Sequence, residues 1–210
     1  MVIRAFIILI VISLTLFVAV FQFNKFKTSP IKYVVYFIGY VFISETVANS
    51  YLSNGMSTVI INNVYSIAYT FFNLFFYSIL IKNNRAKKIG YIMMFIFSIG
   101  LLINQLFFQE FEHKLQTYTF ILGLFLVTIL VFIYLSEIMN SDKIFKLTNT
   151  SVFWISIGII IFNFGFIPVL VVAELIRWEG IYNYILLFVN VIMYSCFITG
   201  FIISKKEYNI

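Results

Sequence analysis

Residues 31–52 read IKYVVYFIGYVFISETVANSYL, and the fold class turns on them. As a helix the stretch is about 33 Å long, enough to cross a hydrocarbon core of about 30 Å. After Lys32 it holds a single charged side chain, Glu45. Similar apolar runs recur at 2–23, 59–81, 89–108, 115–139, 151–173 and 181–204. They are continuous rather than alternating, which selects helices over a transmembrane barrel. The chain therefore reads as all-α: a polytopic membrane protein with a single seven-helix transmembrane domain spanning residues 1–210.

Composition agrees. Of 210 residues, 62% are hydrophobic and only 10% charged, with a mean hydropathy of +1.04. Such a chain has too little polar surface to cover a soluble core. The 27 Phe and 14 Tyr suit lipid-facing surfaces and interfacial belts. A lone cysteine, Cys196, permits no disulfide framework. Residues 2–23 lack a small-residue cleavage site, and the basic residues follow the run rather than lead it. The segment reads as a retained helix, not a signal peptide. All loops and both ends are short, leaving no room for a soluble domain.

The net charge of +6 is a topology signal. The connections after the first, third and fifth runs and the C-terminal tail carry Lys25, Lys27, Lys32, Lys82, Arg85, Lys87, Lys88, Lys143, Lys146, Lys205 and Lys206. The opposite side carries Arg4, Lys114 and Arg177. The imbalance places the N-terminus outside and the C-terminus in the cytoplasm. The basic residues then face anionic lipid, and no nucleic-acid partner is implied.

Glu45 is the only carboxylate well away from a membrane edge. It lies about 21 Å along a helix that starts at Ile31, with Asn49 one turn further on the same face. An ionisable group at that depth is costly unless paired. It reads either as a ligand, cation or proton contact, or as a structural carboxylate held between helices. Other polar residues gather at similar depth: Asn62, Asn63, Asn104, Gln105, Gln109, Tyr118 and Asn183. With Glu45 and Asn49 these are the candidate ligand-binding residues of an outer-half polar pocket. The bland alternative is hydrogen bonding between helices and at the interface. Asn73, Asn163 and Asn190 sit deeper and read as interhelical bonds that fix register. Ser156, Gly158, Gly165 and Pro168 give the sixth run small-residue packing and a kink site.

Several chemistries lack their residues. One histidine, His113, and one cysteine cannot build a His/Cys metal site; a loop site at Glu110, Glu112 and His113 is the weak alternative. There is no H-E-x-x-H, G-x-S-x-G or P-loop motif. The last run holds no internal lysine, which excludes a retinal Schiff base there, and no run carries an arginine row. Neither a catalytic residue nor a cofactor is expected.

The chain resembles a group of small seven-helix membrane proteins of Bacteroidota, similar to the membrane-sensing module of some histidine kinases. The resemblance rests on SETVANSYL around Glu45, NNVY at 62–65, NQLFFQ at 104–109, YT at 118–119, FWISIG at 153–158, FIP at 166–168 and NVIMY at 190–194. It implies a bacterial inner-membrane sensor or receptor-like module, not an enzyme. Its partners would be the lipid bilayer and a cytoplasmic signalling protein such as a histidine kinase. The chain differs from the kinase members in carrying no dimerisation helix or ATP-binding domain before Ile210. A small transporter or channel component using Glu45 as its coupling carboxylate is the alternative. An intramembrane lipid-modifying enzyme of the lysoplasmalogenase type comes third.

Overall fold

The computed structural model describes residues 2–140, 147–176 and 181–205, with side chains for 5–140, 147–172 and 184–205. Among these residues the chain forms seven α-helices and no strand. They are α1 (Val2–Phe21), α2 (Ile31–Ser53), α3 (Val59–Leu80), α4 (Asn84–Phe107), α5 (Thr117–Met139), α6 (Ser151–Ile176) and α7 (Ile181–Ile203). Six of them, α2 to α7, are long and apolar enough to cross a membrane; α1 contributes the shorter apolar stretch Ala5–Phe21. The chain is a multi-pass membrane protein.

Burial supports the same conclusion. On α1 the exposed side chains include Phe6, Ile10, Leu14 and Phe17, while Thr15 and Ala19 are buried. Bulky apolar groups turned outward, with Thr15 kept inside, are what hydrocarbon favours as a solvent.

Helix ends follow local chemistry. Asn83 caps α4: its Oδ1 accepts from Arg85 N at 2.9 Å and Ala86 N at 3.5 Å. This cap starts α4 at Asn84, five residues before its apolar run begins at Ile89. The α2 C-terminus is closed by Met56 N to Tyr51 O (2.9 Å) and Gly55 N to Leu52 O (3.1 Å). These are the two bonds of a Schellman motif, with Gly55 at φ 70° in the left-handed position that favours glycine.

The chain divides into two compact units, Met1–Phe42 with Leu135–Ile210, and Ile43–Tyr134. In the first, α7 packs against α6 and α1. The α6–α7 approach is set by glycine. A Cβ on Gly158 would lie 2.9 Å from the Met193 carbonyl oxygen and 3.1 Å from Cys196 Cβ. At one end of this pair, Ser151 Oγ donates to Gly200 O at 3.0 Å and Trp154 Nε1 to Thr148 O at 2.8 Å. The connection after α1 reaches the C-terminal end of α7. There Lys25 Nζ donates to Ile202 O at 3.5 Å, and Phe26 meets Phe201 at 5.6 Å between ring centroids. A cation at a helix C-terminus offsets the negative end of its dipole. Pro168 lies inside α6 without ending it.

In the second unit, α3 turns a polar stripe inward. Asn63, Ser66, Thr70, Asn73 and Tyr77 are all buried and recur at spacings of three and four. Around them, Phe71 meets Phe97 edge-on at 5.1 Å, Tyr69 meets Phe120 at 6.1 Å and Tyr77 meets Tyr134 at 5.4 Å. Gly123 of α5 lies directly against the Thr70 side chain, so any larger residue would displace it.

Candidate functional site: the amide-tied end of the second unit

Most polar side chains in the helices satisfy themselves. A hydroxyl or amide inside a helix can reach the free lone pair of the carbonyl one turn back. Thr15 donates to Val11 O (2.7 Å), Thr70 to Ser66 O (3.0 Å), Ser78 to Leu74 O (2.6 Å) and Ser98 to Met94 O (2.9 Å). The Nδ2 groups of Asn73 and Asn190 likewise donate to Tyr69 O and Leu186 O, both at 2.8 Å. These two donors therefore act within one helix, where the sequence reading expected bonds between helices. Asn163 is buried and engaged.

Beyond single cross-helix bonds such as Ser151 to Gly200 O, a cluster departs from this pattern at the end of unit two, where α4 stops, residues 108–116 cross over, and α5 begins. Here four amide side chains converge, and all are buried: Asn63, Asn104, Gln109 and Gln116. Asn63 Nδ2 donates to Phe111 O (2.7 Å) and Lys114 O (2.9 Å), while its Oδ1 accepts from Gln116 N at 2.9 Å. One side chain on α3 thus fixes the crossing segment at three points. Asn104 Nδ2 donates to Gln109 Oε1 (3.0 Å) and Gln116 Oε1 (2.7 Å). Gln116 Nε2 donates to Gln109 O. Gln109 Oε1 also accepts from Tyr118 N at 3.3 Å. The Asn104 carbonyl accepts from both Phe108 N and Gln109 N at 2.9 Å, which ends α4.

The orientation of Asn104 is over-determined. Gln116 is oriented by its donation to Gln109 O, and Gln109 by acceptance from Tyr118 N. Both glutamines therefore present oxygen to Asn104, which must present its NH2 to them. Its Oδ1 is left pointing away, buried, and accepts no hydrogen bond from the protein. Thr119 Oγ1 is the second such atom. Thr119 lies in the first turn of α5, and the carbonyl four residues back, Leu115 O, already accepts from Thr117 N (2.8 Å) and Thr117 Oγ1 (3.3 Å). The usual escape for a threonine in a helix is closed to it.

Both atoms belong to residues lining one cavity of about 310 Å³. Gly100, Ile103, Asn104 and Phe108 form one wall; Tyr118, Thr119 and Leu122 form the other. Phe108 and Tyr118 meet edge-on at 6.2 Å, and both are exposed, as is Ile103. No charged side chain lines it. Its exposed lining is almost wholly apolar, so the cavity suits a neutral, apolar group.

Of the residues expected in a pocket, Asn63, Asn104 and Gln109 come together, and Tyr118 joins through its backbone N–H and its ring. Asn63 and Gln109 are engaged with protein groups, so they build the site rather than face a ligand. Asn62 is exposed and bonds Thr58 Oγ1 one turn back at 3.2 Å; Gln105 is also exposed. Glu45 and Asn49 are half-buried on α2, and Glu45 has a polar interaction of its own. The side chain of Asn183 lies outside the described residues. Glu110, Glu112 and His113 do not converge: among the described residues, no group of three metal-ligating side chains comes together. The stretch QTYT at 116–119 falls among the outer-half polar residues of the sequence, but Gln116 and Thr119 were not counted among the candidate ligand-binding residues. Their signal was position, flanking the start of an apolar run where intrahelical partners run out.

No protein-family model, curated protein or solved structure matches the chain.

Proposed function

We propose that the chain is a receptor-like membrane module without catalysis of its own, which binds a small ligand at the amide-tied end of its second unit. It signals occupancy to a partner protein across the membrane. One observation carries the reading: a cavity beside a buried amide network, two of whose lining residues, Asn104 and Thr119, each keep a buried side-chain oxygen without a protein hydrogen bond. Unsatisfied buried polar atoms are rare in native proteins, and each calls for an explanation. In the proposed topology the N-terminus is outside, the basic connections face the cytoplasm of a bacterial cell, and the ligand end faces outward. The partner, of the histidine kinase class, would dock on the basic side. The resemblance to kinase sensor modules supports that choice.

The test is two-sided. The full chain in nanodiscs is screened against lipid classes and small polar solutes by thermal shift. Its neighbours in native membranes are trapped by photo-crosslinking from Lys87 or Lys88. A ligand that stabilises the protein and alters one crosslinked partner is the expected result. A protein that no ligand shifts, and that crosslinks only to itself, would overturn the reading.

A further inference from the structure

We propose that the start of α4 holds an anionic phospholipid, with its phosphate between Arg85 and Lys88 and one acyl chain along the outer face of the helix. This goes beyond the receptor reading and does not depend on it.

Several cations on the basic connections already have protein partners. Lys25 Nζ donates to Ile202 O at 3.5 Å, Lys32 Nζ lies 5.3 Å from the centre of the Tyr33 ring, and Lys82 and Lys205 are engaged. The start of α4 differs. Among the described residues, no ion pair and no side-chain hydrogen bond involves Arg85, Lys87 or Lys88. The first turn of α4 holds no acid, and the sequence carries none between Glu45 and Glu110. Three positive charges therefore crowd the positive end of the helix dipole, and Arg85 repels Lys88 three residues on. A topology signal needs cations near the membrane edge, but not this crowding. A bound anion offsets it. The helix end itself is not the site, because Asn83 Oδ1 already takes the amides of Arg85 and Ala86. The cationic side chains remain, and a guanidinium beside an ammonium suits phosphate oxygens.

The same face continues as an apolar row. Arg85 and Lys88 are exposed, and Ile92, Ile96 and Ile99 follow them at spacings of three and four, exposed as well. Gly90, Met93 and Phe97 are buried instead. Of the six spanning helices, α4 is the least buried. Lys88 to Ile99 covers about 16 Å of helix, close to half of a hydrocarbon core of about 30 Å. A charged head followed by an apolar row of leaflet length is the outline of a phospholipid. An acidic protein segment or a free phosphate would match the cations and leave the isoleucines untouched.

The experiment places the full chain in nanodiscs of phosphatidylcholine, with and without phosphatidylglycerol. Native mass spectrometry after transfer to detergent counts the retained phosphatidylglycerol, and hydrogen exchange reads each connection separately. Phosphatidylglycerol should be retained and should slow exchange over residues 82–88, leaving residues 23–28 unchanged. Arg85→Gln and Lys88→Gln should each weaken retention about fivefold, and the two together about 25-fold. Lys27→Gln removes an exposed cation outside the cluster and should have no effect. Glycerol phosphate, a head without a tail, should not displace the lipid. Equal weakening by Lys27→Gln would overturn the site in favour of diffuse charge attraction. Displacement by glycerol phosphate at matched concentration would overturn the lipid in favour of a soluble anion. The exchange measurement needs no variant, so a variant that fails to insert leaves the test intact. Slowing that is equal at both connections, or absent from both, would overturn the proposal by itself.

Discussion

The α6–α7 pair and the amide-tied end of the second unit solve one problem in opposite ways. In α6 and α7, closeness comes from missing side chains: Gly158 lets the Met193 backbone approach to where a Cβ would sit. Hydroxyls such as Ser195 and Thr199 turn back on their own helix, at 2.7 and 2.8 Å. At the end of α4 the helical carbonyls run out, and side-chain amides cross between segments instead. The contrast teaches that a polar residue in a membrane helix points to a site only where its own helix cannot satisfy it. Position along the helix matters more than polarity.

The comparison can be broken most severely at Asn63. Asn63→Leu removes three bonds to the crossing segment and should cost about 3 kcal/mol. Reversible unfolding in micelles would show it as a large fall in stability, with faster hydrogen exchange over residues 108–116. A change no greater than that of a surface substitution would mean the network does not hold the segment. Gly158→Ala tests the other region. Overpacking against the Met193 carbonyl should destabilise by about 2 kcal/mol, without altering exchange at 108–116.

Smaller effects sharpen the rule itself. Thr119→Val removes a buried hydroxyl that has no protein partner, so in lipid-free detergent it should stabilise by up to about 1 kcal/mol. A loss of stability there would mean the hydroxyl does have a partner. Thr15→Val removes a buried hydroxyl that is back-bonded within α1. Its effect should be smallest, within about 0.5 kcal/mol of zero, because the carbonyl it leaves keeps its helical bond. Melting curves of the two variants side by side should differ in sign or size; identical curves would remove the distinction.

Much of the architecture was legible because hydrocarbon length is a one-dimensional constraint. The apolar run at 31–52 becomes Ile31–Ser53, and that at 59–81 becomes Val59–Leu80. The run at 89–108 begins early, at Asn84, because an asparagine cap and basic residues can extend a helix beyond its apolar part. The site was only partly legible. Asn63, Asn104 and Gln109 stand out as amides near run ends. Gln116 does not, because its role depends on meeting residues 12 and 53 positions away. Thr119 stands with Thr117 at the start of its apolar run; only the prior engagement of Leu115 O sets it apart. Glu45, the most conspicuous residue in the sequence, contributes to no bond of the amide network described above. Cost in a hydropathy plot draws attention to charge, whereas the network is assembled from neutral groups.

The fixed orientation of Asn104 makes its side chain a spectroscopic gauge. Both Nδ2 protons sit in hydrogen bonds to carbonyl oxygens, so they should exchange slowly and resonate downfield of exposed asparagine amides. Selective 15N labelling of asparagine should therefore show a slowly exchanging, downfield NH2 pair, and Gln116→Ala should move it toward the exposed-amide position.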